Sequence, residues 1–126
     1  MSDEQAIRAV ALDYIEGWYE ADAGRMDRAL APYLAKRRVV SAVEIWDIDK
    51  AWMVSAAQEG RGKLEEPENG RREVTLLDRT GRMASVTVVA EAFTDYPHLA
   101  KTGDSWSIVN VLWDFHEEQS STPDSR

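Results

Sequence analysis

Apolar residues recur at helical spacing early in the chain and at strand spacing later. Ile7, Val10, Ala11, Tyr14, Ile15 and Trp18 line one face of a helix over successive turns, while Asp3, Glu4, Arg8, Asp13, Glu16 and Glu20 mostly fall opposite. Ser2 and Gln5 have the spacing of a capping box, so this helix begins at Ser2 and ends near Glu20. Asp22 caps a shorter helix with Met26, Ala29 and Leu30 on its apolar face, and Pro32 stops it. The segment from Ala35 to Trp46, AKRRVVSAVEIW, predicts one strand in its middle. Asp49 caps a third helix to about Glu59, ended by Gly60 and Gly62. Arg61 to Gly70 is polar and reads as a mobile loop.

From Arg72 the period becomes that of strands. Arg72–Arg79, Met83–Phe93, Thr94–Lys101 and Ser105–Phe115 are predicted strands, the first two joined by a tight turn at Thr80-Gly81. The pattern predicts an α+β domain over 1–116. Three N-terminal helices pack on one face of a curved, mostly antiparallel sheet, which forms a cone with an internal pocket. Residues 117–126 are polar and read as a disordered tail.

Composition narrows the chemistry. The chain has no cysteine, which rules out disulfides, thiolate metal sites and cysteine nucleophiles. Its net charge of −8 argues against a nucleic-acid partner. Lys36-Arg37-Arg38 and Arg71-Arg72 read as charges protecting strand edges. The start of the chain has no basic, apolar leader and no run is long enough to span a membrane, so a cytoplasmic protein without a membrane partner is expected. Five Trp, four Tyr and two Phe in 126 residues suit a ligand-sized cavity or an oligomer face.

Candidate chemistry centres on Asp95, His98 and Tyr14. A carboxylate beside an imidazole is an acid–base pair for neutral pH, and a tyrosine projecting from the first helix can donate to a developing oxyanion. Asp95 and His98 share a face only if Pro97 marks a bulge. The structural alternative gives Tyr14 a buried partner, Asp95 a turn and His98 the rim. Asn110 falls in a predicted row with Trp106, Ile108 and Leu112, where it either reads a ligand edge or satisfies a neighbour. Trp18 and Trp52 are candidate pocket walls, with core packing as the alternative. Val109, Val111 and Trp113 make the other face of the last strand apolar, and a second subunit is expected to cover it. The two histidines, His98 and His116, form no metal-ligand pattern, and no phosphate loop, GxGxxG or GxSxG occurs, so neither metal nor cofactor is expected.

Three segments carry a resemblance: Tyr14 to Asp22 (YIEGWYEAD), Met26 to Leu30 with Leu34 to Arg38, and Asp95 to Lys101 with Trp106 to Trp113. Together they resemble the nuclear transport factor two-like superfamily, which includes ketosteroid isomerase, scytalone dehydratase and SnoaL-type polyketide cyclases. They look most like the family called putative lumazine-binding proteins. The resemblance spans most of residues 5 to 115. It implies a cystatin-like cone, a homodimer and a pocket at the open end, but not lumazine itself. Fold does not settle function. The expected function is binding of a planar heterocyclic or aromatic molecule by Tyr14, Trp18, Trp52, Asp95, His98 and Asn110. Two alternatives stand beside it. One is a cofactor-independent isomerase, dehydratase or cyclase using Asp95 or His98 as acid–base and Tyr14 as oxyanion donor. The other is a dimerisation module whose own side chains fill the pocket.

Overall fold

The computed structural model describes residues 1–116; the predicted tail lies outside them. Helix α1 runs Asp3–Glu20, and the Ser2–Gln5 capping box is formed in both directions. Helix α2, Ala23–Ala29, is capped by Asp22. Arg25 ties the two helices together. Its guanidinium pairs with Asp13 at 2.9 Å, Glu16 at 2.7 Å and Glu20 at 3.3 Å. Helix α3, Lys50–Gln58, is capped by Asp49.

Six strands form one open sheet in the order β2-β1-β6-β5-β4-β3. They are β1 Leu30–Ser41, β2 Glu44–Ile48, β3 Glu73–Thr80, β4 Met83–Val89, β5 Phe93–Thr102 and β6 Ser105–Phe115. All neighbours are antiparallel except β1 and β6, which run parallel across the middle. Ile7, Ala11, Tyr14 and Ile15 of α1 enter the core with Val86, Val88, Leu99, Trp106 and Ile108 of the sheet.

Three elements differ from the sequence reading. The single strand expected within Ala35–Trp46 is a hairpin, β1 and β2, turning at Ala42-Val43. Leu30 belongs to β1 rather than to the second helix, and Pro32 lies inside that strand near its start. The Arg61–Gly70 loop is packed rather than free. Leu64 N–H donates to the Tyr19 carbonyl at 3.1 Å, and Arg72 holds Glu16 at 2.8 Å while donating to the Pro67 and Gly70 carbonyls.

The last strand carries the largest correction. His98 pairs with Asn110 but Leu99 pairs with Ile108, so Val109 is an extra residue on β6. Such a bulge reverses which residues face inward. Trp106 and Ile108 point to the core before it, and Val111 and Trp113 after it. Val111 is only 3% exposed, so Val111 and Trp113 do not furnish the outer face expected of them. Asn110 and Leu112 take that face.

Candidate functional site

A cavity of about 670 Å³ opens between the end of α1, the β1–β2 hairpin, α3 and the loop after it. Each wall follows from local pattern. The stripe of α1 brings Tyr14, Ile15 and Trp18 to one side, and Trp52 and Met53 of α3 close another. Phe93, Trp113 and Phe115 come from the sheet, and Trp46 from the hairpin. The rings form one cluster: Trp113 lies 5.9 Å from both Trp46 and Phe93, and 5.1 Å from Phe115. Trp113 Nε1 is buried and makes no hydrogen bond among the described residues. Such a donor gains by meeting a ligand acceptor.

Gly62 fits the loop against Trp18. A Cβ there would lie 2.1 Å from Trp18 Nε1, so only glycine permits this approach. Across the mouth, Arg61 stacks over the Trp52 ring at 5.5 Å, and Trp52 stays partly exposed.

The chemistry of the wall lies where α1 crosses β1 and β5. Lys36 Nζ donates to Tyr14 Oη at 2.6 Å, and both residues are buried while lining the cavity. The ammonium lies 5.1 Å from the Tyr14 ring centre and 5.2 Å from that of Trp113, within cation–π reach. Asp95 is fully buried beside them but does not line the cavity. Neither of its oxygens makes a hydrogen bond of acceptable geometry among the described residues. Burial raises the Asp95 pKa, against the opposing pull of Lys36 and the Tyr14 phenol. Burial lowers the Lys36 pKa, with the Asp95 charge opposing it. The Tyr14 phenol is pushed well up by burial and by the Asp95 charge. An amine, a phenol and a carboxyl thus sit together with few hydrogen bonds between them. Burial favours the neutral form of each: it loosens the proton of the Lys36 ammonium and tightens those of the Tyr14 phenol and the Asp95 carboxyl.

The structure brings Tyr14, Trp18 and Trp52 to the cavity and Asp95 behind it. It does not bring His98 or Asn110 there. Asp95 and Pro97 face inward on β5, whereas Tyr96 and His98 face out. The bulge lies on β6 and not at Pro97, so Asp95 and His98 stay on opposite faces. The β4–β5 pairing instead skips Tyr96 and Pro97, where proline has no N–H to give. On the outer face His98 Nδ1 donates to Asn110 Oδ1 at 2.8 Å.

Lys36 was missed as a site residue because it was grouped with its basic neighbours as edge protection. The signal is present. Leu34, Lys36 and Arg38 alternate on one face of β1, and all three are buried. Arg38 fills the aromatic cluster from behind, 4.8 Å from both the Trp46 and Phe115 rings and paired to Asp114 at 2.8 Å. Trp46, Phe93, Trp113 and Phe115 were also missed as pocket walls. The first belongs to a hairpin read as one strand, and Trp113 and Phe115 turn inward only after the bulge.

The described residues contain no group of three or more His, Cys, Asp or Glu that could hold a metal, and no helix long and apolar enough to cross a membrane.

Comparison with known proteins places the molecule. The model of a family described as putative lumazine-binding matches residues 2–114. A search of curated proteins gives no match. Among solved structures, an NTF2-like protein of unknown function from Methylobacillus flagellatus is 19% identical, covering 92% of this chain and 95% of its own with a TM-score of 0.73. An NTF2-like protein of unknown function from Silicibacter pomeroyi is 14% identical, covering 92% of this chain and 100% of its own with a TM-score of 0.72. A ketosteroid isomerase-like protein from Erwinia carotovora is 12% identical, covering 93% of this chain and 99% of its own with a TM-score of 0.66. At such identities the likeness is one of fold, and the fold is nuclear transport factor two-like.

Proposed function

The chain belongs to the family described as putative lumazine-binding, and from that premise we propose that it binds a planar aromatic or heterocyclic small molecule in the cone. One observation carries this reading: a cavity of about 670 Å³ is walled by Trp18, Trp46, Trp52, Phe93, Trp113 and Phe115 and ends on the Lys36–Tyr14 pair. The rings supply stacking area, and the buried ammonium suits a carbonyl, enolate or carboxylate oxygen on the ligand. A panel of pterins, flavins and naphthalenes followed by tryptophan fluorescence and thermal shift tests it. Saturable quenching with a raised melting temperature is expected for at least one scaffold. Absence of both across the panel ends the reading.

A catalytic reading has one observation in its favour: Asp95 is buried with a raised pKa beside Tyr14. Here Asp95 would move a proton and Tyr14 would steady an enolate, as in an isomerase, dehydratase or cyclase without cofactor. His98 has no part in it, because it lies on the other side of the sheet. An isomerisation that Asp95→Asn leaves at full rate would remove this reading. The ligand-free module calls for a cavity filled by its own side chains, and the cavity is open.

A homodimer is also proposed, through a different patch from the one read in the sequence. Val39, Tyr96 and Leu112 share the outer face of neighbouring strands and are 54%, 51% and 52% exposed. Tyr96 and Leu112 lie two residues along their strands from His98 and Asn110, and with Val39 they border a hollow of about 430 Å³. A second copy covering that face would bury apolar area now in water.

A further inference from the structure

Lys36 differs from the other lysines of the chain. Lys50 pairs with Asp27 at 3.3 Å, Lys101 pairs with Asp3 at 3.1 Å, and Lys63 stands exposed at the cavity mouth. Lys36 alone is buried, and it lines the cavity wall. Its Nζ is held by the Tyr14 hydroxyl at 2.6 Å, near the rings of Tyr14, Trp113 and Phe93 at 5.1, 5.2 and 6.0 Å. Asp95 lies beside the pair with both carboxyl oxygens free of hydrogen bonds among the described residues. Pure binding does not require a buried amine next to an unpartnered carboxyl, since an arginine or an amide would hold a ligand oxygen without the burden of a titrating pair. A desolvated amine in an aromatic pocket, with a proton acceptor at hand, is the arrangement in which lysine becomes a nucleophile.

We propose that Lys36 captures aromatic aldehydes in the cone as a protonated imine, with Asp95 as its counter-ion; this rests on the reading that the cavity binds planar aromatic molecules. The steps balance. A proton passes from the Lys36 ammonium to the Asp95 carboxylate beside it. The freed Nζ lone pair forms a C–N bond to the carbonyl carbon, and the carbonyl π pair moves to oxygen. One proton shifts from nitrogen to that oxygen, giving a carbinolamine. The C–O bond breaks as the Asp95 carboxyl returns its proton, and the oxygen leaves as water. The sum is one aldehyde and one ammonium giving one protonated imine and one water. No oxidant, reductant or cofactor enters. Burial favours the step in two ways. It lowers the Lys36 pKa, whereas an exposed lysine keeps its proton on all but roughly one molecule in a few thousand at neutral pH. It also keeps Asp95 opposite the new cation, so the protonated imine has the same counter-ion as the ammonium it replaces.

The test incubates the whole protein with naphthaldehyde, reduces with sodium borohydride and maps the peptides by mass spectrometry. Naphthalenemethanol, which binds by the same ring system but forms no imine, is the control, and fluorescence quenching is followed for both. The expected result is quenching by both compounds. Lys36 then carries the mass of the aldehyde less one oxygen, about tenfold or more above Lys50, Lys63 and Lys101, because it is the amine desolvated beside a proton acceptor in the cavity wall. Lys36→Arg should abolish that label while its circular dichroism matches wild type. Quenching by both compounds without label on Lys36, or label no greater there than on Lys63, overturns the proposal and leaves the binding reading intact. Quenching by neither overturns the proposal and removes naphthalenes from the ligands of the cone.

Discussion

Asp95 and Lys36 are each fully or nearly buried, and burial works against the charge on both. Asp95 has a raised folded pKa, so its contribution is fully present below the ordinary aspartate value of 3.8 and is lost as the pH rises through the folded value. Lys36 has a lowered folded pKa, so its contribution is present above the ordinary 10.5 and is lost as the pH falls through the folded value. At neutral pH both groups therefore tax the fold. The double variant Lys36→Met with Asp95→Asn should be more stable than wild type by about 1–4 kcal/mol in urea at pH 7. Its margin should shrink towards pH 3. Asp95→Asn alone removes the carboxylate whose burial outweighs its attraction to Lys36 and should raise stability at pH 7, by less than the double variant does. A double variant less stable than either single one would contradict this account. Tyr14 and Trp18 follow from the regular stripe of the first helix and Trp52 from its place in the third, whereas Asp95 was expected beside His98 through a bulge at Pro97, and the two stay on opposite faces. Lys36 was not legible, because a run of three basic residues looks like a solvated edge unless the alternation with Leu34 is followed through it.

At the scale of elements, the hairpin and the loop make the cavity. Trp46 of β2 is a wall that exists only because the chain turns at Ala42-Val43. Trp46→Ala should weaken binding of a planar ligand about tenfold, the loss of one aromatic contact, while the melting temperature moves little. Gly62→Ala should have the reverse balance. A methyl group there meets the Trp18 indole at 2.1 Å, so either the loop or the ring must move. A loss of about 1–3 kcal/mol in urea denaturation is expected, as for overpacking elsewhere. The three helices and their caps could be read directly, since Ser2, Asp22 and Asp49 each stand before an apolar period. The hairpin could not, because Ala42-Val43 carries none of the glycine or asparagine that marks a tight turn. The bulge at Val109 has no local signal either. It shows only in pairing with β5, which lies outside the strand's own sequence.

At the scale of the molecule, the sheet has two working faces with different chemistry. The inner face carries rings and a buried amine, and the outer carries Val39, Tyr96 and Leu112 together with a His98–Asn110 pair. The α+β class and the cone were legible because helices precede a run of antiparallel strands. Which face of β6 looked inward was not, so of the expected interface residues Trp113 became a cavity wall and Val111 a core residue, with Val109 at the bulge. Sedimentation should find a dimer, and Tyr96→Asp should shift it to monomer without altering cavity binding; a wild-type monomer at tens of micromolar would rule the dimer out. The central claim concerns the inner face, and the five tryptophans report on it separately. Trp18, Trp46, Trp52 and Trp113 line the cavity, whereas Trp106 lies away from it with Nε1 donating to Asp3 at 3.0 Å. Their indole N–H signals in a nitrogen–proton correlation spectrum, recorded as a planar heterocycle is titrated in, give the most direct test. The account predicts that the four cavity indoles shift together and saturate while Trp106 stays in place. Saturable binding that moves Trp106 and leaves the other four unmoved would contradict it.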